Sequence, residues 1–374
     1  MNAPSTVGGI TVRTIALPLV MLALVTAPFW LDNYNLILVG RFLALAVVAI
    51  GISLVWGTTG ILSLGQGLFF GLGGYAIAMH LKLVGTPKGE LPDFMIYNGV
   101  ESLPWFWAPF SSPVFAIAMV LVLPTLAAAG VGYLMFRKRI TGVFVSLITQ
   151  ALVLAFATLL IGSQGFTSGT NGITDYKTFL GIELKGQAFN NGFYWLTLSI
   201  VVLSYLGTKL FLGTHTGKLL VAIRDGENRV RFLGYDPASY KILAFAIGGL
   251  LAGISGALFA VHVGTISPAM VGVIPSIEMV VWVALGGRDS VGGAILGMVA
   301  GNLARDRISS AYPEAWLYIM GAMFVLVVLG MPKGLAGLLR PILAIQLGGS
   351  RAKPNSSPTA EPLKSHISEV AQDV

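Results

Sequence analysis

A small set of polar side chains interrupts otherwise apolar segments of this 374-residue chain. The set consists of Ser63, Gln66, Gln150, Glu278 and Asn302. An ionisable group such as Glu278 is costly in hydrocarbon, so it marks either a functional site or a structural ion pair, here with Arg288 or Arg305. The uncharged members either hydrogen-bond between helices or line a passage for a neutral solute. The sequence therefore proposes these residues as candidate pathway lining, with structural pairing as the alternative.

The charged stretch 213–240 is the second feature that could do chemistry. Residues 217–234 show the spacing of a short amphipathic helix, with apolar positions at Leu219, Leu220, Ile223, Val230, Phe232 and Leu233. Gly234 is typical of a helix end, and Pro237 cannot continue that helix. Such a helix either lies on a lipid surface or docks into a groove on a partner protein. The residues alone leave both interpretations open.

Motifs for covalent or phosphate chemistry are absent from the sequence. It contains no G-x-x-x-x-G-K-[ST] loop, no H-E-x-x-H helix and no G-x-S-x-G turn. There is no cysteine, and the four histidines are scattered at His80, His215, His262 and His366. We therefore expect a chain that is not an enzyme and that binds no metal or cofactor itself.

Apolar segments dominate the elements that must position these residues. Hydrophobic residues make up 55% of the chain and charged residues 10%, whereas soluble proteins carry roughly 25% charged residues. The runs are continuous and many approach the ~20 residues that a membrane-spanning helix needs. We count ten: 15–31, 36–56, 61–81, 112–136, 141–162, 193–212, 241–263, 271–287, 291–308 and 315–331. The predicted fold is an all-α polytopic membrane protein with about ten transmembrane helices, of which those at 61–81 and 271–308 are glycine-rich enough to be broken or re-entrant.

Basic residues predict the orientation. Lys/Arg clusters at 137–139, 218–241 and 333–353 fall on one side of a ten-segment count, and the positive-inside rule makes that side cytoplasmic. The net charge of +7 thus indicates a membrane face rather than nucleic-acid binding. Both termini are then cytoplasmic, and Arg41 is the exception to the pattern. We expect a cytoplasmic segment at 1–14, a transmembrane domain at 15–340, and a disordered cytoplasmic tail at 345–374.

Glycines spaced four apart occur within the apolar segments. The pairs are Gly67 and Gly71, Gly249 and Gly253, Gly293 and Gly297, and Gly297 and Gly301. This spacing allows close helix packing in lipid, and the alternative is a face that borders a pathway or a moving interface.

Three long blocks resemble one family of membrane proteins. Residues 57–76, 221–258 and 267–297 are similar to permease subunits of the branched-chain amino acid (LivM-like) class of ABC importers. The segments 91–95, 103–107 and 169–178 resemble the urea-permease (UrtC-like) branch of that family.

The resemblance implies a set of partners and a role for the charged stretch. The partners are a homologous second permease, two cytoplasmic ATPase subunits that use ATP and Mg, and a periplasmic or extracellular substrate-binding protein. Residues 224–234 match the cytoplasmic coupling helix that fits the ATPase, through Arg224, Asp225, Glu227, Asn228, Arg229, Val230 and Gly234. Arg229 and Val230 replace the usual Ala-Ala pair, so the docking surface should be bulkier and more basic.

The resulting functional hypothesis is an inner-membrane permease subunit of an ATP-driven importer for urea or short neutral amides. A neutral solute needs hydrogen-bond partners but no counter-charge, which the mainly uncharged polar set could supply. The alternative is a branched-chain amino acid permease subunit. A stand-alone channel or secondary transporter is a third hypothesis, against which the sequence shows no ion-coupling Asp cluster and no inverted pair of broken helices.

Overall fold

The computed structural model describes residues 23–330, except Lys88, Lys177, Leu180, Gly181, Leu184 and Lys185. The predicted N-terminal segment 1–14 and the tail 345–374 lie outside the described residues. The predicted transmembrane domain and the first and last apolar segments are described only in part.

Helices form nearly the whole described chain, as the continuous apolar runs predict. They are α1 (23–30), α2 (Asn33–Ile52, continued by a π-helical turn at Ser53–Gly57), α3 (Gln66–Gly85), α4 (Asp93–Tyr97), α5 (Pro113–Arg137), α6 (Val143–Gly162), α7 (Gln164–Thr167), α8 (Gln187–Gly213), α9 (His215–Phe232), α10 (Pro237–Val263), α11 (Pro268–Val271), α12 (Val273–Gly286), α13 (Val291–Ala311) and α14 (Trp316–Gly330). Within the same described residues, strands are limited to the pairs β1 (Ile173–Thr174) with β4 (Thr265–Ile266), and β2 (Thr178–Phe179) with β3 (Ile182–Glu183).

The all-α polytopic fold is confirmed. Six of the described helices are long and apolar enough to cross a membrane: α2 with its π turn, α3, α5, α6, α8 and α10. Helix α12 is apolar but has only 14 residues. Each of the ten predicted segments coincides with helix, in whole or in part, within the described chain.

The core is built around α10, which packs between α2, α3 and α5. Every residue from 42 to 55 is buried, so α2 is covered on all sides, as expected of a central helix. Glycines allow the close approach: a Cβ on Gly256 would collide with the carbonyl of Phe70, and one on Gly253 with Pro124. The small-residue faces of this helix therefore serve internal packing.

Two helical segments are broken, and the breaks meet. Residues 60–65 are non-helical before α3, and α10 ends at Gly264 (φ 75°), before β4 and the short α11 lead into α12. The main-chain N–H of Gly67 donates to Ser276 Oγ at 3.0 Å, which joins the start of α3 to α12. The predicted segment 61–81 therefore begins with a non-helical stretch, and residues 264–272 separate two segments, 241–263 and 271–287, that the sequence also predicts as separate.

The two ends of the bundle carry different loops. At one end, Arg137 pairs with Asp236 at 2.9 Å, which brings the α5–α6 turn to the stretch after α9. At the other end, Lys82 pairs with Asp93 at 2.9 Å and donates to the carbonyl of Thr174 at 3.2 Å. The α5–α6 turn and the stretch after α9, which are predicted to share a side, therefore do share one. The third predicted cluster, 333–353, lies outside the described residues, and which side faces the cytoplasm stays a prediction.

Candidate functional site

The charged stretch folds as α9, which is capped and interrupted by particular residues. Thr214 Oγ1 accepts from the N–H of Gly217 at 3.3 Å and begins the helix. Gly226 has extended backbone (φ −173°, ψ 75°) and divides α9 into two helical pieces. Gly234 adopts φ 88°, the left-handed conformation that favours glycine, and ends the helical region as expected.

The apolar stripe continues across the interruption as far as Val230. Leu220, Ile223 and Val230 are buried against the bundle, in agreement with the predicted stripe. Phe232 and Leu233 are 90% and 76% exposed, so the prediction that they continue this stripe was wrong. Phe232 lies two residues after Val230, which places it about 200° around the helix, and Leu233 follows the last residue of α9.

The predicted coupling residues divide into outward and inward groups. Asp225, Asn228, Arg229 and Gly234 are exposed, whereas Val230 is only 4% exposed and offers little surface to a partner.

Arg224 and Glu227 form the inward group. Arg224 Nη1 donates to the carbonyl of Gly57 at 2.5 Å and lies 3.6 Å from Asp289. Glu227 pairs with Lys241 at 2.5 Å and with Arg231 at 3.1 Å. These contacts connect α9 to the end of α2, to the α12–α13 turn and to α10.

A cavity of about 240 Å³ separates α9 from the first break. Its lining combines the loop 59–61, the α5–α6 turn and the inward residues Ile223, Arg224, Glu227 and Lys241. The Arg224 side chain lies beside Gly60, so α9 and the start of the break both line this cavity.

The first group of predicted pathway residues lies at that break. Ser63 is 4% exposed and its Oγ accepts from the N–H of Gly65 at 3.2 Å, and Gln66, the first residue of α3, is 2% exposed. Helix α6 supports the loop: Ser146 donates to the carbonyl of Leu62 at 2.7 Å, and Thr149 Oγ1 accepts from the N–H of Leu64 at 3.1 Å. Gln150 is half-buried on α6, one residue beyond Thr149.

Glu278 and Asn302 form a separate group between α12 and α13. Glu278 is 3% exposed and accepts a charged hydrogen bond from Arg305, one of its two predicted partners. The other, Arg288, instead lies over the Trp56 ring with its guanidinium carbon 5.0 Å from the ring centroid. Asn302 donates to the carbonyl of Met298 at 2.8 Å within its own helix.

The structure does not bring all five predicted pathway residues together. Ser276 contacts α3, and two residues along a helix place Glu278 about 200° around it, facing α13. Sequence reasoning also missed that Arg41 pairs with Asp306 at 3.4 Å; an opposite charge in the ninth apolar segment was the available signal. The described residues hold no group of three metal-ligating side chains.

A second cavity, of about 320 Å³, lies at the end of the bundle opposite α9. It is formed by α4 and by residues 164–174, two of the regions that carry the urea-permease resemblance. Burial alone would raise the pKa of Asp93, but the Lys82 ammonium and the Phe94 N–H together lower it. The Asp93 carboxylate therefore stays charged at the cavity wall, beside Lys82.

The helices, the broken segments and α9 together indicate a class of membrane protein. Membrane-length helices, two broken segments that meet in the bundle and a charged helix at one end are the architecture of a transport permease. The family described as branched-chain amino acid transport system, permease component, matches residues 35–328, and the chain belongs to this family.

Curated relatives agree with that assignment. The chain is 26% identical to the high-affinity branched-chain amino acid transport system permease protein LivM of Escherichia coli K12, over 93% of this chain and 80% of that protein. It is 26% identical to LivH of the same organism, over 78% of this chain and 91% of that protein. The autoinducer 2 import system permease protein LsrC of Salmonella paratyphi B is 28% identical over 54% of this chain and 56% of that protein. No solved structure matches the chain.

Proposed function

We propose that this chain is one of two permease subunits of an ATP-driven importer, coupled through α9 to cytoplasmic ATPase subunits. A substrate-binding protein on the opposite side would deliver the solute, and the ATPases would use ATP and Mg. The arrangement of α9 carries this proposal: its inward residues hold the first break, while Asp225, Asn228 and Arg229 face away from the bundle.

The outward face of α9 favours a protein partner over a lipid surface. Within nine residues it combines Asp225 and Asn228 with the cation Arg229, with Arg231, whose charge is paired with Glu227, and with exposed Phe232 and Leu233. A helix that lies on anionic lipid is instead expected to carry mainly cations on its polar face. A groove that accepts the aromatic and aliphatic side chains and pairs the flanking charges fits this mixture better.

The names of the relatives favour a branched-chain amino acid as the solute. LivM and LivH are both named for branched-chain amino acid transport, and the chain resembles each along most of its length. The similarity of this chain to both LivM and LivH also supports the proposal that it pairs with a homologous second permease.

Urea is the second candidate solute, and the cavity of about 320 Å³ at the end of the bundle opposite α9 is the observation that favours it. The segments that resemble urea permeases, 91–95 and 169–178, both contribute residues to this cavity. Solute identity differs among relatives of this chain, since LsrC is named for autoinducer 2 import. A family assignment therefore leaves the solute to be measured.

Uptake of radiolabelled leucine and urea by cells with and without this subunit tests the proposal. Subunit-dependent, ATP-dependent leucine uptake that exceeds urea uptake assigns the amino acid, and the reverse assigns urea. If neither label depends on the subunit, both solute assignments fail.

Docking is tested by reversing the charge of Arg229. Arg229→Glu should reduce co-purification of the ATPase, because it removes an exposed cation from the proposed docking face. Lys138→Glu is the matched control, since Lys138 is an exposed cation at the same end of the bundle outside α9. Equal co-purification of both variants would contradict the coupling assignment.

A further inference from the structure

We propose that Gln66 forms a solute-binding site where the two broken helices meet, for a group that presents an N–H donor beside an oxygen acceptor. Such a group is found in urea and, as ammonium beside carboxylate, in an amino acid. The inference rests on the proposed importer function and locates a step of transport within this chain.

The first observation is a buried amide without a partner. The Gln66 side chain is 2% exposed, and its Oε1 accepts no hydrogen bond from any described residue. A buried acceptor left unpaired loses free energy that apolar residues of the same shape would not lose. A transient ligand that supplies the missing donor would explain why a glutamine occupies this position.

The second observation is that the neighbouring polar groups are satisfied. Ser63 Oγ, Thr149 Oγ1 and Ser276 Oγ all form hydrogen bonds with the broken backbone, at 3.2, 3.1 and 3.0 Å respectively. Their role is therefore to support the loop. Gln66 is the member of this cluster whose side chain is left for another molecule.

The third observation is the main chain around this amide. Gln66 is the first residue of α3, and its own N–H donates to no carbonyl of the described residues. First-turn N–H groups carry the positive end of the helix dipole and attract oxygen atoms with negative charge. The first turn of α12 adjoins it, through the hydrogen bond from Gly67 to Ser276. A solute oxygen on the N–H and a solute N–H on Oε1 would satisfy both groups at once.

The backbone beside Gln66 is closely packed. A Cβ on Gly65 would meet Thr149 at 2.7 Å, and one on Gly67 would collide with Ser276 and the carbonyl of Val271. Neither of the two cavities described above is lined by Gln66, so the solute group would reach it only when the broken segments move apart. Weak binding suits a pathway from which the solute must leave.

The test combines transport with stability. In proteoliposomes of the complete importer, Gln66→Met should lower kcat/KM for the carried solute about two- to tenfold, the effect of losing one hydrogen bond. The apparent melting temperature of the same variant should stay equal or rise, because the unpaired acceptor is gone. A merely structural glutamine would instead lower stability and transport together.

Two further variants complete the design. Gln66→Asn keeps an amide acceptor at this buried position without adding a charge, so it should retain more transport than Gln66→Met. Gln187→Met is the matched control, since Gln187 is the first residue of α8, also follows a glycine cap, and is exposed. Its transport should equal that of the wild type.

Urea and leucine are measured in parallel, so the arm that responds identifies the source of the bound group. Unchanged kcat/KM in Gln66→Met for the solute that the wild-type importer carries would refute the site, while the importer function would stand. A wild-type importer that carries neither solute would refute the proposed function and this inference with it.

Discussion

Replacing Glu227 by alanine should leave the buried Lys241 ammonium without its ion-pair partner and lower the free energy of unfolding. The Lys241 side chain is 7% exposed, and its Nζ lies 2.5 Å from Glu227 Oε2. Breaking a fully buried ion pair from one side costs about 3–5 kcal/mol, because the remaining charge is uncompensated. Glu227 is 28% exposed, so solvent screens the pair and we expect the lower end, about 3 kcal/mol.

A double-mutant cycle separates the pair from its surroundings. Lys241→Met leaves Glu227 paired with Arg231 at 3.1 Å, so its cost should be only about 1 kcal/mol. The double variant Glu227→Ala/Lys241→Met removes both charges and should recover most of the loss. Asp225→Ala is the matched control: Asp225 is 64% exposed beside Arg224, and its loss should cost about 0–1 kcal/mol.

Thermal unfolding of the detergent-purified variants gives the order of stability. We expect Glu227→Ala to unfold at the lowest temperature, with the double variant close to Lys241→Met. Co-purification of the ATPase should fall in the same order, because this pair holds α9 against α10. If Glu227→Ala is no less stable than Asp225→Ala, or if the double variant is as unstable as Glu227→Ala, the pair does not anchor α9.

Three further outcomes follow from the structure. Lys138→Cys should resist impermeant thiol reagents in intact cells, because its turn shares an end of the bundle with α9; labelling from outside would invert the topology. Gly234→Val should cost about 1–2 kcal/mol of stability and weaken ATPase docking, because a side chain disfavours the left-handed φ of 88°, although no atom obstructs the new Cβ. Gly226→Ala is the control that should be tolerated, because Gly226 has an extended φ. Glu278→Gln should express better than Glu278→Ala, because glutamine still accepts a hydrogen bond from Arg305; the two variants should differ in stability by about 1–3 kcal/mol. Abolished transport in a stable Gln variant would instead place Glu278 in the pathway.

Helix positions were predictable because the bilayer leaves the backbone few choices. A continuous apolar run in lipid must satisfy its peptide groups internally, so the run itself becomes the helix. The segments predicted at 112–136 and 141–162 correspond to α5 (Pro113–Arg137) and α6 (Val143–Gly162). Gly234 and Pro237 marked the end of α9 for equally local reasons, since Gly234 adopts φ 88° and Pro237 does not continue that helix.

Interactions between distant segments were not predictable in the same way. Arg288 and Arg305 were both candidate partners for Glu278, and only the packing of α12 on α13 selects Arg305. The sequence grouped Phe232 and Leu233 with Val230, and only the packing of α9 shows that the buried stripe ends at Val230.

The sequence by itself determined the class of this protein: its apolar runs, its missing catalytic motifs and its three family-like blocks follow from residue order. Tertiary structure decided which polar groups are paired and which are left free. Gln66 and Ser276 belong to segments more than 200 positions apart, and they adjoin because glycines let the broken helices approach. Local pattern constrains one segment at a time, whereas a binding site depends on the contacts that several segments make together.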